Sequence, residues 1–338
     1  MNWSKKKVLI TGGASFIGSH LVDSLVKKGA IITVVDDLSS GRVENIKHNL
    51  AKKNIEFVKG SLLNQNLVDK IIKDKHLVFH LAGIHGGRGF IDLHQAECAE
   101  NFILDGLVIR ASLNHQVEKI IFSSSGCIYP TFKQQNTKEL LYLEEQMVGP
   151  PYDPDDIYGW AKLSAEKTLR AYYKAYKLPS VCLRFFTVYG SRAKEDHAII
   201  GLIAKAFIKQ NPYIVWGTGK QIRNWTHVSD IVEGSILAAE KITDGRAINL
   251  GTMERIRVID AVNEIFNYTN FFPKVSFKPH MPTGPYNRVA DNKLAKKLLG
   301  WEPKIKFIDG LHKTIDWYYA VKNRNEVRKT LNKKLLER

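Results

Sequence analysis

Three cysteines are all the chain has in 338 residues. Cys98, Cys127 and Cys182 show no metal-like spacing and cannot all pair, which argues against a zinc site and a disulfide scaffold; a reducing cytoplasm is the expected setting. No apolar run approaches the length of a membrane span. The opening Lys5-Lys6-Lys7 is followed by apolar residues, but that run breaks at Thr11-Gly12-Gly13 with no small-residue cleavage site, so no signal peptide is expected. Internal repeats and low-complexity segments are missing too. Acidic residues are in short supply: 34 Asp and Glu stand against 50 Lys and Arg, a formal charge of +16. A basic surface attracts phosphates whatever molecule carries them, so nucleic acid is one reading. The excess is scattered, however, and concentrated at Lys322 to Arg338, which reads as a basic, solvated helix or tail. A basic cleft also suits a nucleotide-sugar diphosphate, and no nucleic-acid or membrane partner is expected.

What is present is a globular composition, 44% hydrophobic, enough for one large or two joined domains. Lys7–Ile10 is a β-branched run ending in Thr11-Gly12-Gly13, and Ile17–Lys28 then follows a helical period closed by Gly29. Further strands are expected at Ile31–Val35, Ile55–Val58, Leu77–Leu81, Lys119–Ser123 and Ser180–Arg184. Strands alternating with helices imply an α/β fold, a parallel sheet covered on both faces. After Tyr189-Gly190 the pattern turns irregular, with prolines at 273, 279, 282 and 285, and a smaller domain begins. Ala247–Leu250 again reads as a strand that returns to the main sheet. The expected division is a dinucleotide domain over 1–186 with 228–262 returning to it, a substrate domain over 187–227 and 263–320, and a C-terminal helix or tail over 321–338.

Thr11-Gly12-Gly13-Ala14-Ser15-Phe16-Ile17-Gly18 lies between a strand and a helix N-terminus, where backbone N–H groups and the helix dipole hold a pyrophosphate. Asp36, about twenty residues further on at a strand end, is placed to bond ribose hydroxyls and repel a 2′-phosphate, which favours NAD over NADP. Asp156-Ile157-Tyr158-Gly159-Trp160-Ala161-Lys162 sets Tyr158 and Lys162 on one helical face. A nearby ammonium would lower the phenol toward a usable base. Ser125, ending a strand upstream, can share a substrate hydroxyl with Tyr158.

With these motifs in order, the chain resembles the extended short-chain dehydrogenase/reductases that act on nucleotide sugars. The resemblance implies a Rossmann-type doubly wound sheet with a smaller C-terminal substrate domain, NAD as cofactor, and a homodimer. It further implies cofactor contacts from Gly12, Phe16, Ile17, Gly18, Leu62, Leu81, Ala82, Gly83, Asn101 and Phe185. Pairing would run through the helix of Tyr158, with Leu163, Leu169 and Tyr172 as apolar contacts. Three residues depart from the family pattern: Ser15 replaces the middle glycine of the turn, and Ser61 an aspartate near the adenine. Thr187 replaces an asparagine that touches the diphosphate.

Ser125-Gly126-Cys127-Ile128-Tyr129-Pro130 carries none of the acidic residues that dehydratases and decarboxylases place after the serine. It is similar to GDP-fucose synthase and GDP-mannose 3,5-epimerase; the latter also shares Gly86-Gly87-Arg88-Gly89-Phe90-Ile91 and Phe132-Lys133-Gln134. That likeness implies a transient 4-ketone, with Cys127 as an acid/base and Lys194 or His197 as its partner. Gly87, Arg88, Thr187, Trp216, Gln221, Arg223 and Arg288 match substrate positions. The alternatives are a simple 4-epimerase of the UDP-glucose type, a 4-dehydrogenase releasing the keto sugar, and a binding protein without turnover.

Overall fold

The computed structural model describes residues 1–337. The first half alternates strand and helix. Strands β1 (Lys7–Thr11), β2 (Ile31–Asp36), β3 (Ile55–Lys59), β4 (Leu77–His80), β5 (Lys119–Ser125) and β6 (Ser180–Phe185) are separated by helices α1 (Phe16–Lys27), α2 (Lys47–Ala51), α3 (Gln65–Ile72), α4 (Arg88–Leu93), α5 (Gln95–Ala99), α6 (Asn101–Asn114) and α7 (Asp156–Tyr176). The second half contributes β7 (Thr187–Tyr189), α8 (Ala198–Phe207), β8 (Tyr213–Trp216), β9 (Ile222–Arg223), β10 (Trp225–His227), α9 (Val228–Lys241) and β11 (Asp244–Leu250). It continues through β12 (Ile256–Arg257), α10 (Val258–Thr269), β13 (Val275–Lys278), β14 (Asn287–Arg288), α11 (Lys293–Leu299), α12 (Phe307–Val321) and α13 (Arg324–Lys334).

Seven strands form one sheet in the order β11-β6-β5-β4-β1-β2-β3, and every pairing in it is parallel. A parallel sheet needs cover on both faces, so its central strands are apolar on both sides. In β1, Val8 and Ile10 join one core while Leu9 joins the other. The same split places Val34 opposite Val35 in β2 and Phe79 opposite Val78 in β4. The outermost strand, β3, is only half-buried. This is the Rossmann-type doubly wound arrangement, with β11 returning beside β6.

The remaining strands make small ribbons beyond the C-terminal ends of the main sheet strands: β7 with β10, β9 between β12 and β14, and β8 with β13. Order reverses at β1, where β2 lies on one side and β4 on the other. A crevice opens there by geometry, since the chain leaves the two strands in opposite directions.

Two expectations are corrected by the packing. Leu163 and Leu169 of α7 face inward, into two different apolar clusters, and Tyr172 is half-buried against one of them. The exposed apolar side chains in this region are instead Trp160 of α7 and Phe102 and Ile103 of α6. The C-terminal segment is also no solvated tail, because α13 buries Val327 and Leu331 in the main core.

Candidate active site

Two connected cavities, of about 370 and 270 Å³, run from the β1–α1 turn to the small ribbons. Gly86, Ile91, Cys127, Thr187 and His197 line both.

The larger cavity begins at the glycine turn. Gly12 has φ +67, and a Cβ there would stand 2.9 Å from the backbone nitrogen of Ala82. Only glycine lets the β1 turn lie flat against the β4 turn. Ser15, Phe16, Ile17 and Gly18 follow along the same wall, and Leu81, Ala82, Gly83 and Phe185 face them across it. Asp36 accepts hydrogen bonds from the Ala14 and Leu38 N–H groups at 3.0 and 2.9 Å. Burial pushes its carboxyl up, against those two N–H groups. The Ser15 hydroxyl turns toward this same carboxylate, donating to Asp36 Oδ2 at 3.3 Å. The serine that replaces a glycine thus steadies the acid at the ribose end. Ser61 and Leu62 line that end too; the Ser61 hydroxyl accepts from the Leu63 N–H and closes the turn after β3.

Asn101 does not line the cavity. It is fully buried behind it, where its side chain accepts from the Ile84 N–H and donates to the Ile84 and Cys98 carbonyls, each at 2.8 Å. Its side chain fastens the loop after β4.

Tyr158 and Lys162 both face the larger cavity one helical turn apart. Lys162 Nζ lies 3.5 Å from Asp105 Oδ2 and 4.5 Å from the centre of the Phe122 ring. Asp105 Oδ1 meets His80 Nε2 at 3.0 Å, and His80 Nδ1 meets the Thr11 hydroxyl at 2.8 Å. Burial holds the His80 imidazole below its ordinary pKa despite Asp105. This buried chain ties the glycine turn to Lys162. The phenol of Tyr158 is not lowered as expected. Burial pushes it up, Cys127 and Asp105 add to the rise, and a hydrogen bond with Ser125 opposes it. Burial is the largest cause, ahead of Cys127 and Asp105, and Asp105 also stands beside the lysine charge.

Cys127 sits on a short turn, Gly126–Ile128, that Ser125 caps by accepting the Cys127 N–H at 3.1 Å. The Asp155 N–H donates to the Cys127 carbonyl at 2.7 Å, locking the turn onto the start of α7. Arg288 Nη1 donates to Cys127 Sγ at 3.2 Å, Nη2 to Asp155 Oδ2 at 2.9 Å, and Nε to Gln134 Oε1 at 2.8 Å. Arg88 Nη1 reaches both oxygens of Asp155 at 2.8 Å, and this arginine also pairs with Asp92 and Asp156. Although burial pushes the Asp155 carboxyl up, Arg288 and Arg88 outweigh it and hold it below the usual range.

Arg223 is different. Its guanidinium donates to the carbonyls of Ile222 and Thr283, each at 2.8 Å. Burial, reinforced by Arg288, brings it down to about 9, so it remains charged at neutral pH. A cation held by carbonyls in a cavity is suited to an anion. Gln221 is buried, with Nε2 donating to the Trp216 carbonyl at 3.3 Å and Oε1 lacking a partner among the described residues. Trp216, Gly87 and Thr187 complete that wall.

The two candidate partners of Cys127 separate. Lys194 lines only the larger cavity and reaches the Ser40 hydroxyl at 3.3 Å, near the ribose end. His197 lines both cavities. Its ring stands edge-on to Phe16 at 5.8 Å and to His85 at 6.4 Å, and His85 lies 5.9 Å from the Tyr158 ring.

Asp105, Asp155, His85 and Lys205 were not singled out from sequence. Asp105 follows Asn101 by one helical turn, and Asp155 directly precedes α7; neither carries a motif. Lys205, whose ammonium donates to the Ile214 carbonyl at 2.7 Å and is brought down to about 8 by burial, has no local signal at all.

The sequence profile of the NAD dependent epimerase/dehydratase family matches residues 8–251. The chain is similar to the UDP-N-acetyl-alpha-D-glucosaminuronate decarboxylase of Bacillus cytotoxicus, at 30% identity over 94% of this chain and 99% of that protein. It is 29% identical to GDP-mannose 3,5-epimerase 1 of Oryza sativa subsp. indica, over 96% of this chain and 84% of the other. Among solved structures, the UDP-glucuronic acid 4-epimerase of Bacillus cereus, in complex with UDP-glucuronic acid and NAD, superposes with a TM-score of 0.83 at 26% identity, covering 94% of this chain and all of that one.

Proposed function

The chain belongs to the NAD-dependent epimerase/dehydratase family, and from that premise we propose that it epimerises a nucleotide sugar through a transient 4-keto sugar, in the manner of a GDP-mannose 3,5-epimerase. Its cofactor is NAD. The residues fit the dinucleotide on three counts: the Gly12 cradle has no room for a Cβ, Asp36 is buried at the ribose end, and the buried Lys162 Nζ has no hydrogen-bond partner among the described residues. NAD held at that turn would supply reversible hydride chemistry at the sugar C4, so that the carbon is oxidised and restored within one turnover.

Tyr158 accepts the proton of the 4-hydroxyl as a phenolate, a form that the positive charge of a bound nicotinamide would favour over the buried phenol of the cofactor-free site, with Ser125 sharing that hydroxyl and orienting it. Lys162 offers its ammonium to the nicotinamide ribose, anchored from behind by Asp105. A ketone at C4 acidifies the hydrogens on C3 and C5. Cys127 removes or returns one of those protons, with the Arg288 guanidinium donating to its sulfur. His197, which lines both cavities with Cys127, serves as the second proton carrier. Arg223 and Arg288 bind the diphosphate, and Trp216 with Gln221 the nucleoside. The chain works as a two-fold pair, built on α6 and α7 through Phe102, Ile103 and Trp160.

The observation that carries the reading is the 3.2 Å hydrogen bond from Arg288 to the Cys127 sulfur, in the cavity shared with Tyr158. A thiol there has no need of a guanidinium for packing. The test is turnover of GDP- and UDP-sugars in deuterated water. Solvent deuterium should enter at C3 or C5 with wild type, and Cys127→Ser should stop the exchange while transient NADH remains. Inversion at C4 with no deuterium uptake would instead favour a simple 4-epimerase, to which several UDP-sugar relatives point.

A further inference from the structure

Helix α13 carries the chain back to the mouth of the smaller cavity. Val327 and Leu331 anchor it in the core, and Leu335, just past its end, forms part of the cavity wall with Arg88, Cys127, His197 and Trp216. The fit is close. A Cβ at Gly89 would stand 2.7 Å from the Leu335 carbonyl oxygen and 3.2 Å from Leu336 Cα, and one at Gly201 would stand 2.9 Å from Leu335 Cδ2. On the other side of the same glycine-rich segment, a Cβ at Gly87 would overlap the carbonyl oxygen of Asp196, whose carboxylate accepts the Gly87 N–H at 3.2 Å.

Residues 86–89 are therefore pressed between residues 335–336 and the loop that carries His197. That loop is pinned to the C-terminal arm. The fully buried Glu195 accepts from Tyr318 and Lys322, each at 2.9 Å, and lies 3.7 Å from Lys334 Nζ. The glycine pattern noted in the sequence thus has a steric explanation: two segments far apart in the chain must approach residues 86–89 at backbone distance.

We propose that Leu335 is a specificity-determining wall of the substrate cavity, fixing its size on the side away from the glycine turn, and that the Glu195 ion cluster ties this wall to the His197 loop. The inference rests on the reading of that cavity as the nucleotide-sugar site. The branched side chain offers no hydrogen bond, so the part of the ligand that meets it is uncharged. A charged substituent there would lose its water without compensation.

Two full-length variants, Leu335→Gly and Leu335→Trp, change the wall in opposite directions. The first measurement is the rate at which a bulky maleimide labels each cysteine, followed by peptide mass spectrometry. Cys98 and Cys182 are fully buried and report on the fold as a whole. Leu335→Gly should speed labelling of Cys127 several-fold and Leu335→Trp should slow it, with the other two cysteines unchanged. Unchanged Cys127 rates, or all three cysteines accelerating together, would overturn the proposal. The second measurement is calorimetric binding of UDP, UDP-glucose, GDP and GDP-mannose to the NAD-saturated protein. The ratio of sugar-nucleotide to nucleotide affinity should shift by about five-fold or more in Leu335→Gly while nucleotide affinity holds. An unchanged ratio rejects the wall as a specificity element. If wild type binds none of the four, the nucleotide-sugar reading fails, and labelling alone decides the wall.

Discussion

Replacing Asp155 by asparagine should destabilise the protein and yet strengthen its hold on anions. The carboxylate is 4% exposed and lies between two guanidiniums, with Arg88 on both of its oxygens and Arg288 on one. Asparagine keeps the volume and one acceptor oxygen, so no void forms. No helix cap is lost either, since the Asp155 side chain makes no capping hydrogen bond to α7. What is lost is the charge. Removing one partner of a buried pair costs about 3–5 kcal/mol when the other is left unpaired. Here Arg88 retains Asp92 and Asp156, and Arg288 retains only the neutral Gln134 and Cys127. One arginine of the two is stranded, at the edge of a cavity open to water, so the loss should be about 2–3 kcal/mol. At about 2–4 °C per kcal/mol for a chain this large, Tm at pH 7 should fall by roughly 4–12 °C. Because the Asp155 carboxyl is depressed, its contribution is complete above the ordinary carboxylate pKa and is lost as pH falls through the folded value. The gap between wild type and variant should therefore narrow below about pH 4. Added pyrophosphate should raise the Tm of the variant more than that of wild type, since the same arginines now face no competing carboxylate. Thermal melts across pH, with and without pyrophosphate, measure all three effects. Equal Tm values at pH 7, or a gap that persists unchanged at low pH, would refute the charge argument.

Other outcomes are expected. Tyr158→Phe should reduce turnover by about 10²–10⁴-fold while NAD affinity stays within about two-fold, because only the proton acceptor is removed; wild-type turnover in that variant would move the chemistry elsewhere. Asp36→Ala should narrow the preference for NAD over NADP, read by fluorescence titration of the two reduced cofactors, as the carboxylate facing a 2′-phosphate is gone. Ile103→Glu on the exposed face of α6 should convert a two-fold pair into monomers in sedimentation at micromolar concentration, and an unchanged mass would place the pairing surface elsewhere. Glu195, held down to about 2 mainly by Lys322 against the effect of burial, should contribute stability that is full above the ordinary carboxylate pKa and lost as pH falls toward 2. Glu195→Gln should accordingly lower Tm at pH 7 and flatten the acid limb of the melt.

The sheet was legible in the sequence because each strand carries its own apolar pattern, and the glycine turn, Asp36 and the Tyr158–Lys162 pair were legible because their spacing follows local helix and strand geometry. Those features involve neighbours within a few residues, or one strand end. The tertiary structure decided everything that depends on which distant segments meet. Lys162 is balanced by Asp105 from another helix, so burial and not the lysine governs the Tyr158 phenol. Lys194 and His197 stand three residues apart, yet the loop turns one toward Ser40 and the other toward Phe16 and His85. Leu163 and Leu169 face inward because α7 crosses the sheet with that side down, a choice that helical periodicity leaves open. The C-terminal arm is the clearest case: its composition is that of a solvated basic helix, yet two buried apolar residues and a carboxylate more than a hundred residues away help hold it over the cavity. Side-chain charge and periodicity are local properties, whereas partnership across a cleft is set by the path of the whole chain.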